Sequence, residues 1–260
     1  MRLATWNVNS LTARMPRVTQ WIEENEPDVL CLQETKQADD KFPSKEFLAL
    51  GYESAHYGDG RWNGVALLSR VGVVDEVRGF GTPHDDHGCR LVAATCGGVR
   101  VHSVYVPNGR SLDNEFYGFK LEWLAQLRTM LDATCRPGDS VAVCGDFNVA
   151  PDDGDVWDPA HFVGATHVSE PERAALRHVE DWGLTDVFRR FNDPGVFSWW
   201  DYRAGDFHQG RGMRIDLVLI SEDLAERATG ARVDRDARKG PKPSDHAPVI
   251  VDLAEMPKTA

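Results

Sequence analysis

Short apolar runs punctuate the chain: Leu3-Ala4-Thr5-Trp6, Val29-Leu30-Cys31-Leu32, Val65-Ala66-Leu67-Leu68, Val101 to Val106, Val141-Ala142-Val143-Cys144, Leu217-Val218-Leu219-Ile220 and Val249-Ile250-Val251. Their brevity and β-branched content predict strands. Their near-continuous apolarity predicts strands covered on both faces. Two other stretches step at helical spacing. Leu11, Met15, Val18 and Ile22 form one stripe that stops before Pro27, and Tyr117, Leu121, Leu124, Leu127 and Leu131 form a second. Leu91–Cys96 and Val99–Val106, separated only by Gly97-Gly98, predict a β-hairpin. Hairpins mixed with helices predict two packed sheets with helices outside. No fixed-period repeat, low-complexity tract or Pro/Gly/Ser-rich linker divides residues 1–260, so a single domain is expected.

Composition narrows the class. The 260 residues suffice for one large α/β core. No apolar run approaches the roughly 18 residues of a membrane helix, and the opening residues lack a signal-peptide pattern. The five cysteines are odd in number and contain no C-x-x-C pair. Cys31 and Cys144 sit inside apolar runs, where a thiol serves as a small hydrophobe. Neither a disulfide framework nor a zinc cage is expected, and a cytoplasmic location is. The net charge of −12 speaks against coating nucleic acid through a global basic field. It leaves room for a local basic rim around a carboxylate-lined metal site.

The candidate chemistry lies where apolar runs end. Asn7-Val8-Asn9 follows the first run, Gln33-Glu34-Thr35-Lys36 the second, Tyr105-Val106-Pro107-Asn108-Gly109 the fourth and Gly145-Asp146-Phe147-Asn148 the fifth. Two clusters are reversed: Arg214-Ile215-Asp216 and Ser244-Asp245-His246 precede their runs. In sheets with antiparallel members, some strand ends and other strand starts share a rim, so all six clusters can converge. Singly, each has an ordinary explanation: an Asx turn at Asp146, a helix cap at Asn7 or Asn9, a hydrogen-bonded structural histidine at His246. Together they suit phosphodiester hydrolysis. Mg²⁺ takes hard oxygen ligands, which Glu34 offers with Asn7 or Asp245. Asp146 is a candidate base for an attacking water, and Asn148 can orient that water or the phosphate. His246, paired with a carboxylate such as Asp216, can stay protonated and donate to a phosphoryl oxygen.

The segments TWNVNSL (5–11), LQETK (32–36), NGVALLSR (63–70), YVPNG (105–109), GDFNVAP (145–151), RIDLVL (214–219) and SDHAPV (244–249) resemble, in order and over essentially the whole chain, the exodeoxyribonuclease III type of apurinic/apyrimidinic endonuclease in the endonuclease/exonuclease/phosphatase superfamily. The resemblance implies a four-layer α/β sandwich of two mixed, mainly antiparallel sheets packed face to face. It implies Mg²⁺ or Mn²⁺ at Glu34 with Asn7 and Asp245 nearby, Asp146 and Asn148 at the attacking water, Tyr105 near the scissile phosphate, and His246 on that phosphate, paired to Asp216. Asp146 is taken as the base, because a carboxylate beside a cation can stay ionised.

Shared cores do not fix substrates, and three features tilt this one toward DNA repair. Phe197 to Arg203, followed by Gly212 to Asp216, resembles the family segment around an abasic-sugar pocket, where Trp199, Trp200, Met213 and Arg214 would meet DNA. One of the two tryptophans is expected in the core. Basic residues are interspersed along the presumed rim: Arg14, Lys36, Arg61, Arg110, Arg203, Arg211, Lys239 and Lys242. About half are expected to be ordinary solvated charges; Lys36, Arg110 and the neighbouring Asn108 are assigned to DNA. The missing signal peptide argues against a secreted enzyme. Met213 stands where some relatives carry an aromatic residue, and Asp85 to Arg90 also departs from the family pattern. The expected partner is duplex DNA with abasic sites or 3′-blocked ends, bound by a monomer away from membranes. The rivals are a phosphatase or phospholipase of the superfamily, and a catalytically inactive DNA-binding scaffold.

Overall fold

Period-two alternation sorts each strand's side chains into two layers, and it does so twice. The computed structural model describes residues 1–81, 88–136 and 138–255; Asp85, Asp86 and His87 lie outside them. Twelve strands form two six-stranded sheets. They are β1 (Arg2–Asn7), β2 (Val29–Gln33), β3 (Glu53–Tyr57), β4 (Val65–Ser69), β5 (Val74–Arg78), β6 (Leu91–Cys96), β7 (Val99–Tyr105), β8 (Val141–Asp146), β9 (Leu184–Asp186), β10 (Asp216–Ser221), β11 (Ala228–Val233) and β12 (Val249–Leu253). The first sheet runs β11-β12-β1-β2-β4-β3 and the second β5-β6-β7-β8-β10-β9. Each has one parallel pair, β1/β2 or β7/β8, among antiparallel neighbours. The helices are α1 (Leu11–Asn25), α2 (Ser44–Ala49), α3 (Glu115–Thr134), α4 (Glu170–Glu180), α5 (Asp206–Gln209) and α6 (Glu222–Glu226).

Three apolar layers follow. Leu3, Val29, Cys31, Val101, Ala142, Cys144, Val218 and Val251 fill the space between the sheets. The alternate residues Ala4, Trp6, Leu30 and Leu32 face Val18, Trp21 and Ile22 of α1. Val104, Val141, Val143 and Leu217 face Trp123, Leu124, Leu127 and Leu131 of α3, and Leu176 and Val179 of α4. The expected four layers are therefore helix, sheet, sheet, helix. The hairpin forms as read, with Cys96 opposite Val99. Its tight turn needs positive φ at both central positions, and Gly97 and Gly98 supply 56° and 83°. Helix α1 ends before Pro27, where Glu26 turns left-handed and its N–H caps Ile22. Helix α3 is rotated from the expected stripe: Lys120 and Trp123 are buried, while Tyr117 and Leu121 are only partly covered. All five cysteines are buried with free thiols. Among the described residues no helix is long and apolar enough to cross a membrane.

Candidate active site

The strand alternation that fills the inter-sheet layer also aims the polar residues at its rim. Asn7 ends β1, Gln33 ends β2, Tyr105 ends β7 and Asp146 ends β8. Each is in phase with the inter-sheet residues two and four positions earlier. Strand β10 runs antiparallel to β8 and opens with Asp216 directly opposite Asp146. Strand β12 runs antiparallel to β1, with Val249 opposite Thr5, so the preceding His246 reaches the same mouth. The reversed clusters thus meet the forward ones because of strand direction.

The contacts cross between the sheets. Asn7 Nδ2 donates to Glu34 Oε1 at 2.8 Å and to Asp146 Oδ2 at 2.9 Å. His246 Nδ1 donates to Asp216 at 2.9 Å, and its Nε2 faces Asp146 Oδ2 at 3.8 Å. Burial alone would push the His246 imidazole down. Asp216, then Asp146, outweigh it and carry its pKa to about 10, so it is protonated at neutral pH. Burial pushes Asp146 up to about 7 against the pull of His246. Tyr105 is driven well above its ordinary value by burial and by Glu34, so its hydroxyl keeps its proton; Arg90 stacks on its ring at 4.7 Å. Asn148 is fixed on several sides: its N–H donates to Asp146 Oδ1 and its Nδ2 to the Val106 carbonyl, while its Oδ1 accepts from Asn108 Nδ2 at 3.0 Å. Asn9, Glu34, Lys36 and Asn148 all have left-handed backbones, and such strain gathers at functional sites.

Glu34, Asp146 and His246 bring ligand-capable atoms within 4.8 Å of one another. A protonated imidazole has no lone pair to give, so the two carboxylates are what suits a hard cation. Of the expected ligand set, Glu34 and Asn7 are hydrogen-bonded to each other, and Asn9 links them to Asp245. Asn7 Oδ1 accepts the Asn9 N–H, which turns its amide NH₂ toward the carboxylates as a donor. Asp245 has both oxygens engaged, by Asn9 Nδ2 at 3.0 Å and Trp199 Nε1 at 3.1 Å. Burial raises the Asp245 carboxyl, but His246 and these two donors hold it below the ordinary value.

Residues 4–246 match the Endonuclease/Exonuclease/phosphatase family. The chain belongs to that family. It is similar to exodeoxyribonuclease III of Haemophilus influenzae, 35% identical over 97% of this chain and 100% of that one. Among solved structures it resembles an AP endonuclease from Archaeoglobus fulgidus (36% identical, TM-score 0.94, covering 97% of this chain and 99% of that one). It also resembles a 3′ phosphatase from Neisseria bound to product DNA hairpin (37% identical, TM-score 0.94, covering 98% and 100%).

Within this endonuclease/exonuclease/phosphatase fold, three residues assigned to DNA from sequence are inside the protein. Arg214 is fully buried, bonded to Asp155 at 2.6 and 3.1 Å and to Asp186 at 2.7 Å. Its guanidinium pairs with the buried Asp155 and the partly covered Asp186, inside the protein. Trp200 is buried edge-on against Phe207, with Arg235 and Arg238 over its ring. It is the core tryptophan of the pair. Met213 is buried with Ala150, Val156 and Ile215, where it supports the partly exposed Trp199 from behind. Lys36 turns inward, 2.9 Å from Glu34 Oε2 and 2.7 Å from Asn9 Oδ1. Arg14 is spent on the Asn9 and Pro243 carbonyls and the Tyr202 hydroxyl. Arg203 pairs with Asp201, and Lys239 with Asp236. Asn108, Arg110 and Arg61 remain exposed on the rim. Arg90, the exposed Trp62 and Lys120 were missed from sequence. Trp62 follows Arg61 directly, a basic-aromatic pair that a search for nucleic-acid contacts would flag.

Proposed function

We propose that the chain is a DNA repair nuclease that hydrolyses phosphodiesters on the 5′ side of abasic sites and stepwise from 3′ ends, leaving a 3′-hydroxyl. The observation that carries this reading is the line Asp216–His246–Asp146 meeting Asn7 and Glu34 across the two sheets. The fixed imidazolium supplies a donor for a phosphoryl oxygen as charge develops there. Asp146, beside it, accepts the proton of the attacking water. Asn148 keeps one Nδ2 hydrogen after bonding Val106, and that hydrogen can orient the water or the phosphate. Tyr105, protonated and steadied by Arg90, adds a second donor at the mouth. Mg²⁺ or Mn²⁺ fits the Glu34 and Asp146 carboxylates, and when bound it would neutralise phosphate charge and draw the Asp146 pKa down. The Neisseria relative extends the substrate class to 3′-phosphate ends.

A duplex with one tetrahydrofuran abasic analogue and a duplex with a 3′-phosphate, each with Mg²⁺ and with EDTA, test the proposal beside an undamaged blunt duplex. Cleavage that EDTA abolishes is expected. Absence of any metal-dependent product from the three duplexes overturns it.

A further inference from the structure

Lys120 lies on α3, wholly buried, with its ammonium paired to the equally buried Glu172 of α4. Its other donors reach two main-chain carbonyls, Asn148 O at 2.6 Å and Asn108 O at 3.4 Å. These belong to the two asparagines whose amides meet at the active-site mouth. The Asn148 carbonyl is tied inward at a left-handed residue, φ 51°. Glu172 extends the network, accepting from Thr166 Oγ1 at 2.6 Å, the His167 N–H at 2.9 Å and the Ser169 N–H at 3.1 Å. Gly109 keeps the path of the lysine stem open: a Cβ there would lie 3.2 Å from Lys120 Cδ and 3.0 Å from Thr166 Oγ1. A buried ammonium is costly unless paired and fully hydrogen-bonded, and here the bonds it makes converge on the loops that hold Asn108 and Asn148.

We infer that Lys120 is a positioning residue for phosphate hydrolysis, clamping the Asn108 and Asn148 carbonyls with Glu172 as its counter-charge. The inference rests on the site reading above. Lys120 touches no substrate; it sets where the Asn148 amide points. An apolar side chain of similar length would fill the space but remove the ammonium donor from the Asn148 carbonyl and leave the Asn108 carbonyl to Thr166 Oγ1 alone, and the loops would re-aim. A shift of about 1 Å in such groups costs on the order of 10²-fold in rate.

The test is a cycle on the 3′-phosphate and abasic duplexes with the native chain, Lys120→Met/Glu172→Gln, Asn148→Ala and their combination. The paired change leaves no unmatched buried charge, and thermal unfolding checks that it folds. Its kcat should fall about 100-fold with KM within about threefold, and the fall should nearly vanish in the Asn148→Ala background. Lys120→Arg, which keeps the charge beside Glu172 but misplaces the donors, should show a smaller loss with the same masking and serves if the double variant does not fold. Native-like turnover, or losses that multiply with Asn148→Ala, overturn the clamp. The side-chain amide signals of Asn108 and Asn148 in ¹⁵N NMR give a readout without turnover: they should move toward solvent values in the lysine variants, and unchanged signals overturn the clamp. A native chain without metal-dependent cleavage overturns the function instead, and the amide signals then decide the clamp alone.

Discussion

In the first sheet β1 runs through α1 into a parallel β2; in the second β7 runs through α3 into a parallel β8. Both pairs end at the mouth, and in each an antiparallel neighbour adds its start, β12 beside β1 and β10 beside β8. The halves differ in what they deliver and in how the delivery is held. The first brings Asn7, Glu34 and Lys36, a carboxylate held between an amide and an ammonium. Its loops continue the parallel ladder with main-chain bonds: Val8 N–H to Gln33 O, Ser10 N–H to Glu34 O and Leu11 N–H to Thr35 O. The second brings Tyr105, Asn108, Asp146 and Asn148, two asparagine amides joined to each other and one of them to the Asp146 carboxylate. Its ladder continues through Val106 N–H to Asp146 O, and beyond that the loops are tied to Lys120. Behind both halves lies an apolar helix face, and the second adds a buried ion pair to it. One chain geometry therefore delivers two different sets of polar groups, and the half that ends in the Asn108 and Asn148 amides ties its loops to a buried charge.

The comparison breaks most visibly at the reacting groups where the halves meet, Asp146 from the second sheet and His246 from the first. Asp146→Asn and His246→Ala should each lower kcat by about 10³ to 10⁴-fold, the range for loss of a general base or a charge-stabilising donor. DNA affinity, read by fluorescence anisotropy, should stay within about threefold. Near-normal cleavage by either variant means that the roles are misassigned. A smaller effect of a different kind is expected in the first half. Glu34→Gln should raise the Mg²⁺ concentration for half-maximal rate by about 10 to 100-fold and recover most of the native rate at saturating metal. Titrating Mg²⁺ against cleavage rate checks this. An unchanged metal requirement would move the cation site away from the first sheet.

Much of this was legible in the chain because strands announce themselves where an apolar run turns polar. Asn7, Glu34, Tyr105 and Asp146 were read from that switch, and Asp216 and His246 from its reversal. Two packed sheets followed from two-sided apolar strands mixed with hairpins and helices, and the four-layer sandwich from the family resemblance. What stayed hidden depends on partners distant in sequence. Lys120 sits between Tyr117 and Leu121 at an ordinary solvated spacing; its burial is explained only by Glu172, 52 positions away, and by two carbonyls. Arg214 reads as a rim cation until Asp155, 59 positions away, neutralises it inside the protein. Asp245 is legible as a ligand-type carboxylate, but its donors Asn9 and Trp199 lie 236 and 46 positions away. Local pattern reports which face a residue is on; it does not report whether a charge on that face has found a buried counter-charge.

Each half holds a buried histidine that acid should reach, His56 on β3, pushed by burial down to about 4, and His102 on β7. The helix-facing positions of β1 are Ala4 and Trp6, with Val8 just beyond. Strand β7 places His102 on its helix-facing side, in phase with Val104 and Val106, and it is fully buried. Burial pushes the His102 imidazole down to about 4, with Arg100 adding to the effect. The folded pKa is thus below that of an unfolded histidine, near 6.5. Above that value both states are neutral and the residue gives no pH dependence. As pH falls from about 6.5 toward about 4, the unfolded chain takes up a proton that the folded chain refuses, and stability declines. At pH 5 the loss amounts to about 2 kcal/mol, or roughly 5 °C in unfolding temperature for a chain of this size. His102→Leu should remove that share, so the fall in unfolding temperature between pH 7.5 and pH 5 should be about 5 °C smaller in the variant than in the native protein. If the two fall in parallel, His102 is not neutral in the fold.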